Sequence, residues 1–181
     1  MDTTAEIEFI TGDLTLELTD AIVNPAGPGL VDLAIRRAAG PMLLEELHWK
    51  LFERGERKLR PGRAIVTHGF GLAAPHVIHC GPPVYFDGPE IARAELVSCH
   101  VEAVRLARAA GFASVSFPAI GTGAYRFPMR EAAELAVRAV SEEIRAHGGP
   151  RRVRFVLPDR AARELYAAAA NEASPAIRSA A

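Results

Sequence analysis

Short runs rich in β-branched residues alternate with longer segments of helical period along nearly the whole chain, and that alternation restricts the architectures open to it. Ala5-Glu-Ile-Glu-Phe-Ile10 alternates apolar and polar residues, as a strand with one buried face does. Asp20–Asn24 is a second, more apolar run, and Ala64–Thr67, His76–Cys80, Ser114–Phe117 and Val153–Leu157 follow it. Between them, apolar positions recur at helical spacing from Val31 to about Arg54, with Gly40-Pro41 splitting the run into two helices. Residues 89–110 make a long amphipathic helix stopped by Gly111. Residues 129–147 make another, stopped by Gly148-Gly149-Pro150, and a last helix covers roughly 159–170. Strands interleaved with helices predict an α/β fold, a three-layer α/β/α sandwich around a mixed, largely parallel sheet. The first strand precedes any helix, so an antiparallel pairing at one edge is expected for it.

The 181 residues suit one domain, expected over residues 1–170, with an Ala/Ser-rich and flexible tail over 171–181. Hydrophobic residues make up 49% and charged residues 24%, as in ordinary soluble domains. No apolar run is long enough to span a bilayer, and the acidic start (Asp2, Glu6, Glu8) is unlike a signal peptide, so a cytoplasmic protein is expected. A net charge of −1 supplies no global field for nucleic acid. The small basic clusters Arg57, Lys58, Arg60, Arg63 and Arg151, Arg152, Arg154 read as solvated surface. Cys80 and Cys99 read as free, partly buried thiols. His76 and His79, three apart on a strand, point to opposite faces; His68 and His100 have no evident carboxylate partner, and no metal is expected. Trp49 reads as packing rather than a stacking platform.

In such a sheet, ligands collect beyond the carboxyl ends of the strands. Three loops lie there: Thr11–Thr15, Asn24–Val31 and Pro118–Pro128. In the third, Gly121 and Gly123 flank Thr122 between a strand and a helix, where free N–H groups and a helix N-terminus favour an anion. A simple tight turn would also explain those glycines. Tyr125 offers a flat face for a ribose or base, and Arg126 a charge for phosphate. Asp13 reads either as a turn or helix cap or as an acceptor for an exocyclic amine.

Together these segments resemble the macrodomain family, whose members bind ADP-ribose. Gly12-Asp-Leu-Thr15 is similar to the family's Gly-Asp-Ile-Thr, and Asp20-Ala-Ile-Val-Asn24 to its second strand. Val31-Asp32, Ala34-Ile35 and Ala38-Ala-Gly-Pro41 resemble the helix that follows. Val77-Ile-His79 with Gly81-Pro82 resembles Val-Ile-His-x-x-Gly-Pro with one deletion. Phe117-Pro-Ala-Ile-Gly-Thr-Gly-Ala-Tyr-Arg-Phe-Pro128 resembles Phe-Pro-Ala-Ile-Ser-Thr-Gly-Val-Tyr-Gly-Tyr-Pro. The resemblance covers roughly residues 5–170.

It implies that Asp13 accepts from the adenine amine, with the Leu14 backbone beside it. It also implies that Gly121, Thr122, Gly123 and Ala124 wrap the diphosphate, and that Tyr125 packs on the distal ribose. Asn24, Gly27, Gly29 and Val31 fall in the first ligand-binding loop, and Asp32 stands where hydrolytic members keep a catalytic aspartate. That loop departs from the family. Asn24-Pro-Ala-Gly27 replaces Asn-Ala-Ala-Asn, the polyglycine run is reduced to Gly29, and about five residues are missing. Arg126 stands where a glycine is usual. The expected activity is removal of ADP-ribose from modified proteins or cleavage of related ADP-ribose esters, with no cofactor and a monomeric protein. The alternative is a module that binds ADP-ribose, or a related nucleotide, without cleaving it.

Overall fold

The computed structural model describes residues 5–173. Six strands form one sheet: β1 (Glu6–Thr11), β2 (Ala21–Pro25), β3 (Ala64–His68), β4 (His76–Cys80), β5 (Ser114–Phe117) and β6 (Arg152–Leu157), in the order β1-β6-β5-β2-β4-β3. Five helices are interspersed: α1 (Leu30–Ala39), α2 (Met42–Glu53), α3 (Pro89–Ala109), α4 (Met129–His147) and α5 (Arg160–Ala173).

Alternation along each strand sorts the helices into two layers. Ile22, Val77 and Val156 pack with Ile35 and Ala39 of α1 and Leu43 of α2. Their chain neighbours Ala21, Val23, Ile78, Phe155 and Leu157 pack with α3, α4 and α5 on the other face. Both faces are therefore dry, which is why the strands read as apolar runs.

Gly40, with φ 85, caps α1, and Pro41 opens α2, so the helix break falls where the sequence placed it. The expected antiparallel edge was assigned to the wrong strand. β1 is an edge strand but runs parallel to β6, pairing from Glu6↔Arg152 to Thr11↔Leu157. β3 is the antiparallel strand, pairing β4 from Ala64↔Cys80 to His68↔His76. The link between β3 and β4 is too short for a crossover helix, so those strands must run in opposite directions. β1 has no such restriction, because its partner comes from the far end of the chain.

Asn171, Glu172 and Ala173, expected in the tail, are the last residues of α5; the rest of that tail, 174–181, lies outside the described residues, as does Asp2. No described helix is long and apolar enough to cross a membrane.

Candidate active site

The carboxyl ends of β1, β2, β5 and β6 open on one side of the sheet into a cavity of about 1050 Å³. Its lining joins the predicted loops: Asp13, Leu14 and Thr15, then Gly29, Leu30 and Val31, then Gly121 through Arg126. Gly12, Pro25 and Pro28 also line it, as do Pro118, Ala119, Met129, Val156, Leu157 and Pro158, together with Ala34 and Ile35 of α1. Sequence reasoning did not single out these last residues as ligand contacts, because apolar side chains and prolines carry no chemical signature.

At one end, Asp13 takes the capping role read for it and also lines the cavity. Its Oδ1 accepts from the Thr15 N–H at 2.9 Å and the Thr15 hydroxyl at 2.7 Å, capping a 3₁₀ turn over Leu14–Leu16. The Thr15 hydrogen bonds hold the Asp13 carboxyl below the usual carboxylate range. Its second oxygen has no protein partner among the described residues, and the residue is exposed at the cavity wall. The turn is anchored from beneath by Glu17, which is buried. Glu17 Oε2 accepts from the Ser116 hydroxyl at 2.7 Å and from Arg154 at 2.9 Å.

The middle of the cavity is walled by peptide N–H groups. In the Gly121–Tyr125 segment the N–H of Thr122 reaches Ala119 and that of Arg126 reaches Gly123. The N–H groups of Gly121, Gly123, Ala124 and Tyr125 have no protein acceptor among the described residues. Opposite them, α1 begins at Leu30 with Gly29 as its N-cap and no side-chain cap, so its first-turn N–H groups also face outward. Pro25 and Pro28 contribute none. Gly121 has φ 82 and Arg126 φ 61, the left-handed region. A glycine is the natural occupant at position 126, and the arginine there lies exposed on the cavity lining.

At the far end sit Tyr125, Gly27 and Asp32. A Cβ placed on Gly27 would lie 1.8 Å from the Tyr125 hydroxyl. The phenol therefore occupies the space into which a side chain at position 27 would project. Burial and the nearby Asp32 carboxylate push the Tyr125 phenol upward.

Asp32, in the first turn of α1, is 4% exposed and does not line the cavity surface. The Asn24 amide donates to its Oδ1 at 2.8 Å, and Arg36 lies 2.9 Å from its Oδ2. Asn24 is expected among the ligand contacts, but it is fully buried and absent from the lining; it touches Asp32 and His79 instead. Gly27 is likewise behind Tyr125 rather than on the lining. Arg36 was missed, although its position one helical turn after Asp32 made the pair readable.

The remaining histidines resolve differently from expectation in one case. His68 does have a carboxylate partner, because Glu46 of α2 lies 3.1 Å from its Nδ1 and accepts its backbone N–H at 2.9 Å. Helix-to-strand contacts of that kind leave no local signal in sequence. His100 is buried, with Nδ1 2.8 Å from the Leu96 carbonyl. Cys80 and Cys99 are free and fully buried. Among the described residues no cluster of His, Cys, Asp and Glu is arranged to hold a metal ion.

Comparison with known proteins agrees with this geometry. A sequence model of the Macro domain matches residues 23–136. An O-acetyl-ADP-ribose deacetylase of Enterobacter sp. (strain 638) is 41% identical over 166 residues, covering 89% of this chain and 91% of the relative. One from Citrobacter rodentium is 40% identical, covering 90% and 93%. Among solved structures, the Oceanobacillus iheyensis macrodomain with ADP superposes with a TM-score of 0.83 at 32% identity, covering 91% of this chain and 89% of that one. The Trypanosoma brucei macrodomain in complex with ADP-ribose gives 0.78 at 30% identity, covering 89% and 67%. The chain belongs to the macrodomain family.

Proposed function

We propose that this protein binds ADP-ribose and hydrolyses esters of its distal ribose, with O-acetyl-ADP-ribose and ADP-ribosylated carboxylate side chains of proteins as the substrate class. The observation that carries the proposal is the single cavity running from Asp13, past two facing walls of unpaired N–H groups, to Tyr125 with Asp32 behind it. A nucleoside diphosphate sugar matches that order of groups. The free Asp13 oxygen accepts from the adenine amine, and the Leu14 backbone lies beside it. The diphosphate lies between Gly121–Tyr125 and the start of α1, and the distal ribose packs on Tyr125. The names of the relatives support the ester as the scissile group.

Hydrolysis needs little beyond placement. Water adds to the acyl carbon, the ester C–O bond breaks, one of the water's protons passes to the departing ribose oxygen and the other to solvent, leaving a carboxylate and a ribose hydroxyl. Asp32 is assigned to orient and deprotonate that water. A carboxylate has about four lone-pair sites, so the contacts from Asn24 and Arg36 leave capacity for one more donor. Asp32→Ala is expected to abolish most turnover while leaving the ADP-ribose affinity measured by calorimetry within a few-fold. Wild-type turnover in that variant would remove Asp32 from the mechanism. A monomeric, cytoplasmic protein acting without a cofactor or metal fits this role.

The second reading, a module that binds ADP-ribose without cleaving it, is favoured by two features. Gly27 carries no side chain, and Asp32 is set back from the cavity surface. Tight ADP-ribose binding with no release of acetate from O-acetyl-ADP-ribose would decide for it.

A further inference from the structure

Four buried polar side chains form a row across the α1–α2 face of the sheet. Thr67 is on β3, His79 on β4, Asn24 on β2 and Asp32 on α1; the strands are consecutive in the sheet, and Asn24 pairs directly with His79 in register. All four are at most 4% exposed. Thr67 Oγ1 lies 2.9 Å from His79 Nε2, His79 Nδ1 lies 3.1 Å from Asn24 Nδ2, and the same Nδ2 lies 2.8 Å from Asp32 Oδ1. Such a row in the core is costly unless every link is satisfied in one consistent direction.

The direction is dictated from both ends. An ionised carboxylate only accepts, so the Asn24 atom beside it must be the NH₂ group. That same nitrogen faces His79 Nδ1, which must therefore be bare, placing the ring proton on Nε2. Nε2–H then donates to Thr67 Oγ1, whose own proton goes to the His68 carbonyl at 3.1 Å. Both amide hydrogens of Asn24 are used in this way, and its Oδ1 has no protein partner among the described residues. The opposite tautomer would require the Asn24 oxygen to face His79, which would set that oxygen against the Asp32 carboxylate.

We propose that Thr67, His79 and Asn24 act as a positioning relay that fixes the Asp32 carboxyl in orientation by holding its Oδ1 as an acceptor. The inference rests on the reading of Asp32 as the water-orienting group. The other charged and titratable groups around the row are Arg36, 2.9 Å from Asp32 Oδ2, Tyr125 on the cavity side, and Glu46 with Lys50 of α2 near His79. Burial lowers His79 to about 3, so the ring stays neutral and its single proton has a fixed place.

The test uses the full-length chain with Thr67→Val and Thr67→Ser. Valine keeps the shape of threonine but removes the acceptor for Nε2–H, while serine retains it. The relay predicts that Thr67→Val lowers kcat for O-acetyl-ADP-ribose by roughly ten- to a hundredfold. The Kd for ADP-ribose should stay within about twofold, and Thr67→Ser should recover most of the turnover. Unchanged kcat in Thr67→Val, or Kd rising in step with the loss of kcat, would overturn it. Nitrogen NMR of histidine-labelled wild type gives a readout independent of turnover. His79 must appear as the Nε2–H tautomer, and an Nδ1–H tautomer would refute the relay even if the enzyme reading stands. A wild type without turnover would instead remove the enzyme reading and leave the NMR result to decide the direction of the row.

Discussion

Gly27 and Tyr125 behave as a matched pair. The tyrosine hydroxyl fills the position that a side chain at 27 would claim, so the shortened loop is closed from the opposite wall of the cavity. Gly27→Ala must displace the ring, and we expect ADP-ribose affinity to fall by about tenfold, the equivalent of ~1.4 kcal/mol. Removing the hydroxyl as well, in Gly27→Ala with Tyr125→Phe, should recover much of that loss, because the remaining ring carbon sits at 3.1 Å rather than 1.8 Å. A calorimetric double-mutant cycle checks this, and strict additivity would show that the two residues are independent. Asp13 is legible in the sequence because a short acidic motif after a strand has few uses, and here it caps the turn while lining the cavity. Asn24 was assigned to ligand contact, but its side chain points under α1; sequence position alone does not say which side of a loop a buried polar group faces. The sequence argues against His79 as a metal ligand but does not disclose its hydrogen-bonding role, since its two partners, Asn24 and Thr67, come from separate strands.

The 3₁₀ turn that carries Asp13 buries Leu14 in the core beside α1 and is tied to the sheet by Glu17, which joins it to β5 through Ser116 and to β6 through Arg154. Glu17→Ala leaves the Ser116 hydroxyl and the arginine short of an acceptor in a buried setting. The expected cost is about 1–3 kcal/mol of stability, read from the urea midpoint, with weaker ADP-ribose binding as the turn loosens. Stability that falls while affinity holds would show that the turn is rigid without this anchor. Helices were legible almost to the residue, because their limits are set locally: α4 runs from Met129 to His147, as the spacing and the glycines after it predict. Strand directions were less so. β1 finds its partner β6 across most of the chain's length, and no local pattern in Glu6–Thr11 distinguishes parallel from antiparallel pairing.

Stability of the protein as a unit should be sensitive to acid through two buried histidines. Burial lowers His79 to about 3 and His100 to about 4, against an ordinary value of 6.5. The unfolded chain takes up both protons as pH falls below about 6.5, while the native state refuses them, so the unfolded state binds more protons and stability declines. The loss runs at about 1.4 kcal/mol per pH unit for each histidine down to about 4, and from His79 alone down to about 3. Above 6.5 the contribution is constant. Urea unfolding across this range should show that slope, and His100→Phe, which keeps the ring stacked on Phe117, should roughly halve it. An unchanged slope would mean that His100 is protonated in the native state. The fold and the family model make this chain a macrodomain, and hydrolysis of ADP-ribose esters is the activity we propose for its cavity. The most direct test is acetate release from O-acetyl-ADP-ribose by the purified protein, followed against time. Catalytic release with equimolar ADP-ribose is the expected result; protein that binds ADP-ribose yet yields no acetate above the uncatalysed background would contradict it.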